Sequence, residues 1–333
     1  MLTHSQRNLI NRFIGIIEKN FVEPFLDLRS VNVNPIFLVG PPRSGTTVIY
    51  QWLIYYLNER VAYISRLADM YPDGSFLLNW LSLRILGMQI DVNRPQHYGQ
   101  IKGLMAPAEG NRLWPWYEDS LSEKEKLSFH HIYDRTDYNK SNNITFATYV
   151  FLHKIIRKQC LLMNSCLIIN KSTHNITRII DLKKLFPKAK FLCIIRDGRD
   201  VTKSLVKART DLFGNAWHWW NVKPSNWDNI HWLPPHISCG KQWEGLLNDM
   251  EDQLKEIPDS AYTFIRYEDF LMDPYKELEK IYQFFDLKYN FINDQRQSLI
   301  YPDSYENFFS KKELNELNDD ILGKLKQWGY ILK

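Results

Sequence analysis

The stretch PIFLVGPPRSGTTVIYQWL, Pro35 to Leu53, constrains the fold more than any other part of the chain. An apolar run closed by Gly and Pro reads as a buried strand, and the turn after it opens a segment of helical period. A strand that feeds an anion-cradling turn and then a helix is the layout of a phosphate-binding loop. The ATP- and GTP-binding form of that loop has two glycines five residues apart, then Lys and Ser or Thr. Gly40 and Gly45 keep the spacing, but Thr46 stands where the lysine belongs and Arg43 lies inside the loop. Successive N–H groups around Arg43–Thr47 can form an anion nest, and Gly45 lets the backbone come close. The Thr46 and Thr47 hydroxyls donate, and Arg43 offers a fork for two oxygens of a phosphate or sulfuryl group.

Four more apolar runs follow the first at 36–40: 61–64, 166–170, 189–196 and 261–267. Helical patterns at 45–58, 121–136, 144–159, 174–185, 198–208, 239–256 and 274–285 separate most of them. Strands alternating with helices predict an α/β, P-loop-containing fold with a central parallel sheet flanked by helices on both faces. No repeat or Gly/Ser linker divides the 333 residues, so one domain, 1–333, is expected, with insertions at about 65–140 and 209–238. The N-terminal segment has Leu9, Ile10, Phe13, Ile14, Ile16 and Ile17 at helical spacing and predicts a packed amphipathic helix.

Composition excludes several partners. A net charge of +4, well dispersed, gives no field for nucleic acid. No run reaches the roughly 18 apolar residues of a membrane span. Cys160, Cys166, Cys193 and Cys239 lack metal-ligand spacing, so no metal is expected. Cys166 and Cys193 fall in strand-like runs and read as small core hydrophobes, which predicts a reducing, cytoplasmic location.

Ligands of open parallel sheets sit beyond the carboxyl ends of the strands. The segments there are GPPRSGTT, NKSTHN, RDGRDVTKS and YEDF. Arg196 ends the fourth strand, and Ser204 lies eight residues on, about two helical turns away. Together they form a second anion site beside the first, unless Arg196 pairs with Asp197 or Asp200 and Ser204 faces solvent.

These residues carry a family resemblance. PPRSGTT resembles the 5′-phosphosulfate loop of sulfotransferases that use 3′-phosphoadenosine 5′-phosphosulfate (PAPS), and IIRDGRDVTKS resembles their 3′-phosphate motif. The run from Asn170 to Arg199, the segment IRYEDFLMDPYKELEKIYQFFDL and the closing LGKLKQWGYILK are similar to tyrosylprotein and bacterial sulfotransferases. The resemblance covers about 35–64 and 144–333, with an echo in APAE. It implies PAPS as sulfuryl donor and 3′,5′-ADP as product. It also implies that Pro42, Arg43, Ser44, Gly45, Thr46 and Thr47 hold the 5′-phosphosulfate. Arg196 and Ser204 would hold the 3′-phosphate, with Tyr267 beside it or the adenine.

In-line transfer of this kind needs cations on the leaving phosphate and a base for the acceptor's proton. Arg43 is the first cation, and the resemblance makes Lys171 the second. Tyrosylprotein sulfotransferases carry a glutamate just after the strand that follows the P-loop helix; Ser65 falls there in this chain. Three candidates for the base remain. Glu109 sits in an apolar, Trp-rich stretch expected to close over the cleft and raise its pKa; His174 and Asp69 are the alternatives. The insertion with Trp217, Trp219, Trp220, Trp227 and Trp232 suits stacking on sugar rings or a flat group, or core packing. The departure at Ser65 and the lack of a strong basic field for an acidic peptide favour a carbohydrate or glycan hydroxyl as acceptor, with a small-molecule or protein tyrosine hydroxyl as the alternative.

A nucleotide kinase and a PAPS-binding module without turnover are the rival classes. Activity is expected to survive EDTA, and 3′,5′-ADP to raise the melting temperature where ATP–Mg²⁺ and GTP–Mg²⁺ do not. An absolute Mg²⁺ requirement in a transfer assay would return the chain to the kinases.

Overall fold

The computed structural model describes residues 4–57, 61–86, 103–110, 146–287 and 304–330. Five strands form one all-parallel sheet: β1 Asn34–Val39, β2 Ala62–Tyr63, β3 Leu167–Lys171, β4 Lys190–Ile195 and β5 Tyr262–Arg266, in the order β2-β3-β1-β4-β5. Each lies within two residues of an apolar run picked out in the sequence. β1, β3 and β4 are buried almost throughout, as central strands covered on both faces must be. Register sets the functional edge. Leu38 pairs with Lys171 on one side of β1, and Val39 pairs with Cys193 on the other. The carboxyl ends of β3, β1 and β4 therefore stand side by side, with the P-loop in the middle.

The described helices are α1 His4–Ile17, α2 Thr46–Leu57, α3 Arg66–Met70, α4 Ser75–Arg84, α5 Phe146–Leu162, α6 Ile179–Leu185, α7 Gly198–Phe213, α8 Trp227–Ile230, α9 Pro235–Leu254, α10 Tyr267–Met272, α11 Pro274–Phe284, α12 Lys311–Asp320 and α13 Leu322–Gln327. Right-handed crossovers in this strand order put α2 on one face and α5, α6, α7 and α9 on the other. Contacts agree: Trp52 of α2 packs edge-on against Phe270 of α10 and Tyr275 of α11, and His153 of α5 bonds the Leu185 carbonyl of α6.

Some elements differ from expectation. The helix expected at 174–185 is two pieces, a 3₁₀ turn Thr173–Thr177 and then α6. Side chains divide it: Ser172 accepts from the His174 N–H, and Asn175 donates to the Leu38 carbonyl of β1 and to Asn170. Such bonds hold the backbone to the sheet edge and compete with the helical ladder. α7 runs to Phe213, where Gly214 at φ 77° stops it in the left-handed conformation. α9 starts at Pro235, since proline suits a first helical position. The helix expected at 121–136 lies outside the described residues. Cys193 is core, as expected, but Cys166 is exposed, one residue ahead of β3.

The N-terminal helix is held by polar contacts more than by its apolar stripe. Asn11 Nδ2 donates to Asp73 at 2.6 Å, and the Asp73 N–H returns a bond to Asn11 Oδ1 at 3.1 Å. After α1, a π-helical turn Glu18–Val22 puts Glu18 wholly inside, where its carboxylate takes the Leu77 N–H and pairs with buried Lys158. Lys158 also reaches Glu23 at 2.6 Å, and Lys154 closes the cluster. Leu9, Phe13 and Ile16 meanwhile point outward. Burial keeps the Glu18 carboxyl above its ordinary pKa despite the Lys158 charge.

Removing one partner of a buried pair strands the other charge. Lys158→Ala is expected to lower unfolding free energy by about 3–5 kcal/mol. Lys158→Met with Glu18→Leu should recover most of that. Equal denaturation midpoints for the wild type and the single variant would contradict this anchor.

Candidate active site

The loop between β1 and α2 begins with a close approach. A Cβ on Gly40 would stand 2.6 Å from the Ile194 carbonyl of β4, so the chain there must be glycine to turn over the neighbouring strand. Arg43 at φ 70° and Gly45 at φ 85° are both left-handed, and the Ser44 N–H closes the turn on the Pro41 carbonyl at 3.2 Å. The first helical bond of α2 is Ile49 N–H to Gly45 O at 3.2 Å. The amides of Thr46, Thr47 and Val48 thus belong to the turn that an α-helix leaves without internal acceptors. Pro42, Ser44 and Thr46 are buried, Thr47 is half-buried and Arg43 is exposed. Ser44 Oγ has no hydrogen-bond partner among the described residues. A buried orphan hydroxyl at a helix N-terminus fits an anion ligand.

The two motifs expected to hold anions meet. Arg196 Nη1 donates to the Arg43 carbonyl at 3.0 Å, and Arg43 Nε donates to Ser204 Oγ at 2.8 Å. Asp197, the alternative partner for Arg196, is taken by Arg199 through Nε at 2.9 Å and Nη2 at 2.6 Å, and caps α7 by accepting the Arg199 N–H. Tyr267 at the start of α10 lies between the motifs. Its ring would be 2.1 Å from a Cβ on Gly45, and the Arg196 guanidinium stands 4.9 Å from its centroid.

On the other side of the P-loop, Lys171 ends β3 and pairs with the Glu109 carboxylate. Glu109 reaches this place because 103–110 is stitched to the end of β2. Ala108 N–H bonds the Ile64 carbonyl at 2.7 Å, Arg66 N–H bonds Ala106 O at 2.8 Å, and Ser65 bridges Pro107 in antiparallel fashion. Asn170 Nδ2 holds the Glu109 carbonyl at 3.0 Å, and Tyr63 OH holds the Met105 carbonyl at 3.0 Å. Among the described residues the Glu109 side chain is one-third exposed and held by the Lys171 ammonium. Leu104 is exposed and Met105 buried, while Leu113, Trp114 and Trp116 lie outside the described residues.

The other candidates for the base are His174 and Asp69. His174 is buried in the 3₁₀ turn after β3; burial first, then the Arg178 and Lys171 charges, hold its pKa well below the usual imidazole value. Asp69 belongs to α3. Ser65 caps that helix, accepting from the Ala68 N–H at 3.0 Å and donating to Asn79 at 2.6 Å, so it is fully engaged in structure.

The tryptophan insertion lies along α7 from the loop, with Arg209 about 20 Å beyond Arg196 by helical rise. Buried Arg209 stands 4.6 Å from the Trp219 ring and donates to Gln242 at 2.9 Å. Trp219 meets Trp227 edge-on, and Trp227 stacks on His231 at 4.3 Å. Trp220 packs against the core, which leaves Trp217 and Trp232 exposed.

Sequence reasoning missed the scaffold behind Arg196. Glu268, within the quoted YEDF, accepts the Asp197 N–H at 2.9 Å and the Tyr330 hydroxyl at 2.8 Å. Tyr305, 4.4 Å beneath the Arg199 guanidinium, was also missed; its N–H bonds Asp200 at 3.1 Å. No local pattern marks a contact across so long a separation. Among the described residues no group of His, Cys, Asp or Glu could hold a metal.

A model described as "Sulfotransferase family" matches residues 35–290. Protein-tyrosine sulfotransferase A of Caenorhabditis elegans is 24% identical over 121 residues, 36% of this chain, and the match spans only 28% of that protein's length. Omega-hydroxy-beta-dihydromenaquinone-9 sulfotransferase Stf3 of Mycobacterium tuberculosis is 24% identical over 300 residues, 83% of this chain and 69% of that protein. Sulfotransferase STF1 from Mycobacterium tuberculosis superposes with a TM-score of 0.58 at 17% identity, covering 96% of this chain and 84% of that one. At that identity the likeness is one of fold.

A base whose pKa is depressed on folding costs stability in acid. Below about pH 6.5 the unfolded chain takes up the His174 proton and the folded chain does not, so stability falls until the folded pKa is reached. Carboxyls with raised values, such as buried Glu18 and half-buried Glu268, act in the opposite direction, so the wild type must be compared with a variant. Melting curves between roughly pH 7.5 and pH 5 should show the wild type losing more stability than His174→Gln. Parallel curves would mean that His174 is not buried neutral.

Proposed function

Because the chain belongs to the sulfotransferase family, its model spanning 35–290, we propose that it moves the sulfuryl group of PAPS to a hydroxyl of an acceptor and releases 3′,5′-ADP. The observation that carries this reading is the junction of Arg43, Arg196 and Ser204, which brings the two anion motifs to one sheet edge. The loop amides, Ser44, Thr46 and Thr47 receive the 5′-phosphosulfate, with Arg43 over it. Arg196 and Ser204 take the 3′-phosphate, and Tyr267 lies against both. PAPS supplies the activated sulfuryl group. The protein holds the charge of the leaving phosphate and moves the acceptor's proton.

Glu109 is the base in this reading, and its pairing with Lys171 gives the two residues a joint role. A carboxylate that accepts a proton ceases to neutralise its ammonium. Lys171 is then left as an uncompensated cation at the moment negative charge builds on the leaving phosphate. A low-dielectric edge strengthens that effect. His174 is buried within the 3₁₀ turn that follows Lys171.

The acceptor proposed is a carbohydrate hydroxyl. Ser65, occupied as a helix cap, stands where tyrosylprotein enzymes carry a glutamate, and this disfavours a tyrosine acceptor. Exposed Trp217 and Trp232 remain as stacking surfaces, although the other insertion tryptophans have internal partners. A long-chain alcohol is the second reading, favoured by the match to Stf3 over 83% of this chain. Labelled sulfate offered as PAPS to glycans, tyrosine peptides and alkyl alcohols would decide among these classes.

Two substitutions separate donor binding from chemistry. Arg196→Ala is expected to weaken 3′,5′-ADP binding by about 1.5–3 kcal/mol, the scale of a charge-assisted hydrogen bond, measured by calorimetry. Glu109→Gln should lose roughly 10²–10⁴-fold in turnover with nearly unchanged 3′,5′-ADP affinity. Near-normal turnover in that variant, beside a dead His174→Ala, would move the base to His174.

A further inference from the structure

We propose that the N-terminal segment seats this protein peripherally on an anionic membrane surface. Leu9, Phe13 and Ile16 recur at a spacing of four and three residues, which places them on one stripe of α1, and they are 71%, 64% and 60% exposed. Within the π-helical turn Phe21 is 71% exposed, and in the 3₁₀ turn after it, Glu23–Phe25, Phe25 is 84% exposed. Single exposed hydrophobes are ordinary, but five large ones between Leu9 and Phe25 mark an interaction surface.

The opposite side of the segment is fixed in place. Ile14 and Gly15 press on Gly74 and Asp73, and Glu18 and Glu23 are bound by Lys158 and Lys154. The stripe therefore faces outward because the inward contacts are already made. Fixing Glu18 and Glu23 inside also sets the sign of the outer charge. Arg12, Lys19 and Arg29 are exposed, and Asp27 is the exposed acid among residues 6–30. Arg12 lies within electrostatic reach of Asp73, whose carboxylate already accepts from Asn11. Arg12 sits one turn before Ile16 and Lys19 one turn after, so the cations flank the apolar side chains.

Apolar side chains flanked by exposed cations are what an interfacial helix presents to lipid: rings and alkyl groups enter the acyl boundary while Arg and Lys meet anionic headgroups. A second copy of the chain is a poorer occupant. A self-complementary contact over this stripe would bring Arg12 and Lys19 of both copies together, with repulsion where the membrane gives attraction.

The test is co-sedimentation of the full chain with vesicles of phosphatidylcholine alone or mixed with phosphatidylserine. The wild type should pellet with the mixed vesicles, less so as salt rises, and weakly with phosphatidylcholine alone. Phe13→Ser with Ile16→Ser should abolish pelleting. Arg12→Gln with Lys19→Gln should weaken it roughly tenfold or more on mixed vesicles. Both pairs are surface changes, so the melting temperature and its rise with 3′,5′-ADP should stay as in the wild type. The proposal is overturned if the wild type stays in the supernatant or if both variants pellet like it. It is equally overturned if sedimentation equilibrium shows a dimer that Phe13→Ser with Ile16→Ser dissolves, since a second copy would then cover the stripe.

Discussion

The two halves of the candidate site are joined first of all by Arg196, at the end of β4, which donates to the carbonyl of Arg43 in the loop after β1. Arg43 has a left-handed backbone, which a non-glycine residue adopts only when its surroundings insist. A guanidinium on its carbonyl opposes a flip of that peptide, and the contact of Arg43 Nε with Ser204 fixes the side chain as well. The register of β1 between β3 and β4 makes this possible, because it brings three strand ends level. Lys171 arrives on one side and Arg196 on the other, from the same arrangement.

The parts legible in the sequence are those set by local chemistry. Buried parallel strands are continuous apolar runs, so β1, β3 and β4 could be read to within two residues. The loop was legible because glycine spacing and threonines at a helix start have a direct steric meaning. Long-range pairing was not legible. Lys171 and Glu109 were each picked out, yet their ion pair joins residues 62 apart through the antiparallel stitching of 103–110 to β2. The sequence neighbours of Glu109 suggested an apolar lid, but nothing local announced the ammonium that its carboxylate pairs with. Tertiary bonds also outweighed helical period after β3, where Ser172 and Asn175 tie the chain to the sheet. For α1 the apolar pattern predicted the helix but not the buried face, which Glu18 and Lys158 determine.

The tryptophan insertion shows the limit of composition as a guide to function. Five tryptophans between 217 and 232 invite a stacking surface. Three of them instead surround buried Arg209 or close on one another and the core. An arginine that is fully inside needs acceptors and polarizable rings; the insertion supplies the ring through Trp219, and α9 supplies an acceptor through Gln242. Part of the aromatic excess is thus explained by one buried cation.

The rigidity of the donor side comes from behind the sheet edge. Glu268 is a half-buried carboxylate whose pKa is raised chiefly by desolvation, although Arg196 and three hydrogen bonds act the other way. It is kept because each oxygen is committed: one takes the Asp197 N–H at the start of α7, the other the Tyr330 hydroxyl after α13. Trp243 of α9 adds a bond to the Arg196 carbonyl at 3.2 Å and packs its ring on Gly198. Arg196 is therefore held by its backbone on two sides, from Trp243 and through Asp197, while its side chain bridges Tyr267 and the P-loop. A guanidinium positioned in this way loses little further entropy when an anion arrives, which is the condition for a charge-assisted contact to contribute its full strength. The segments YEDF and QWGY, far apart in sequence, are brought together by that one requirement.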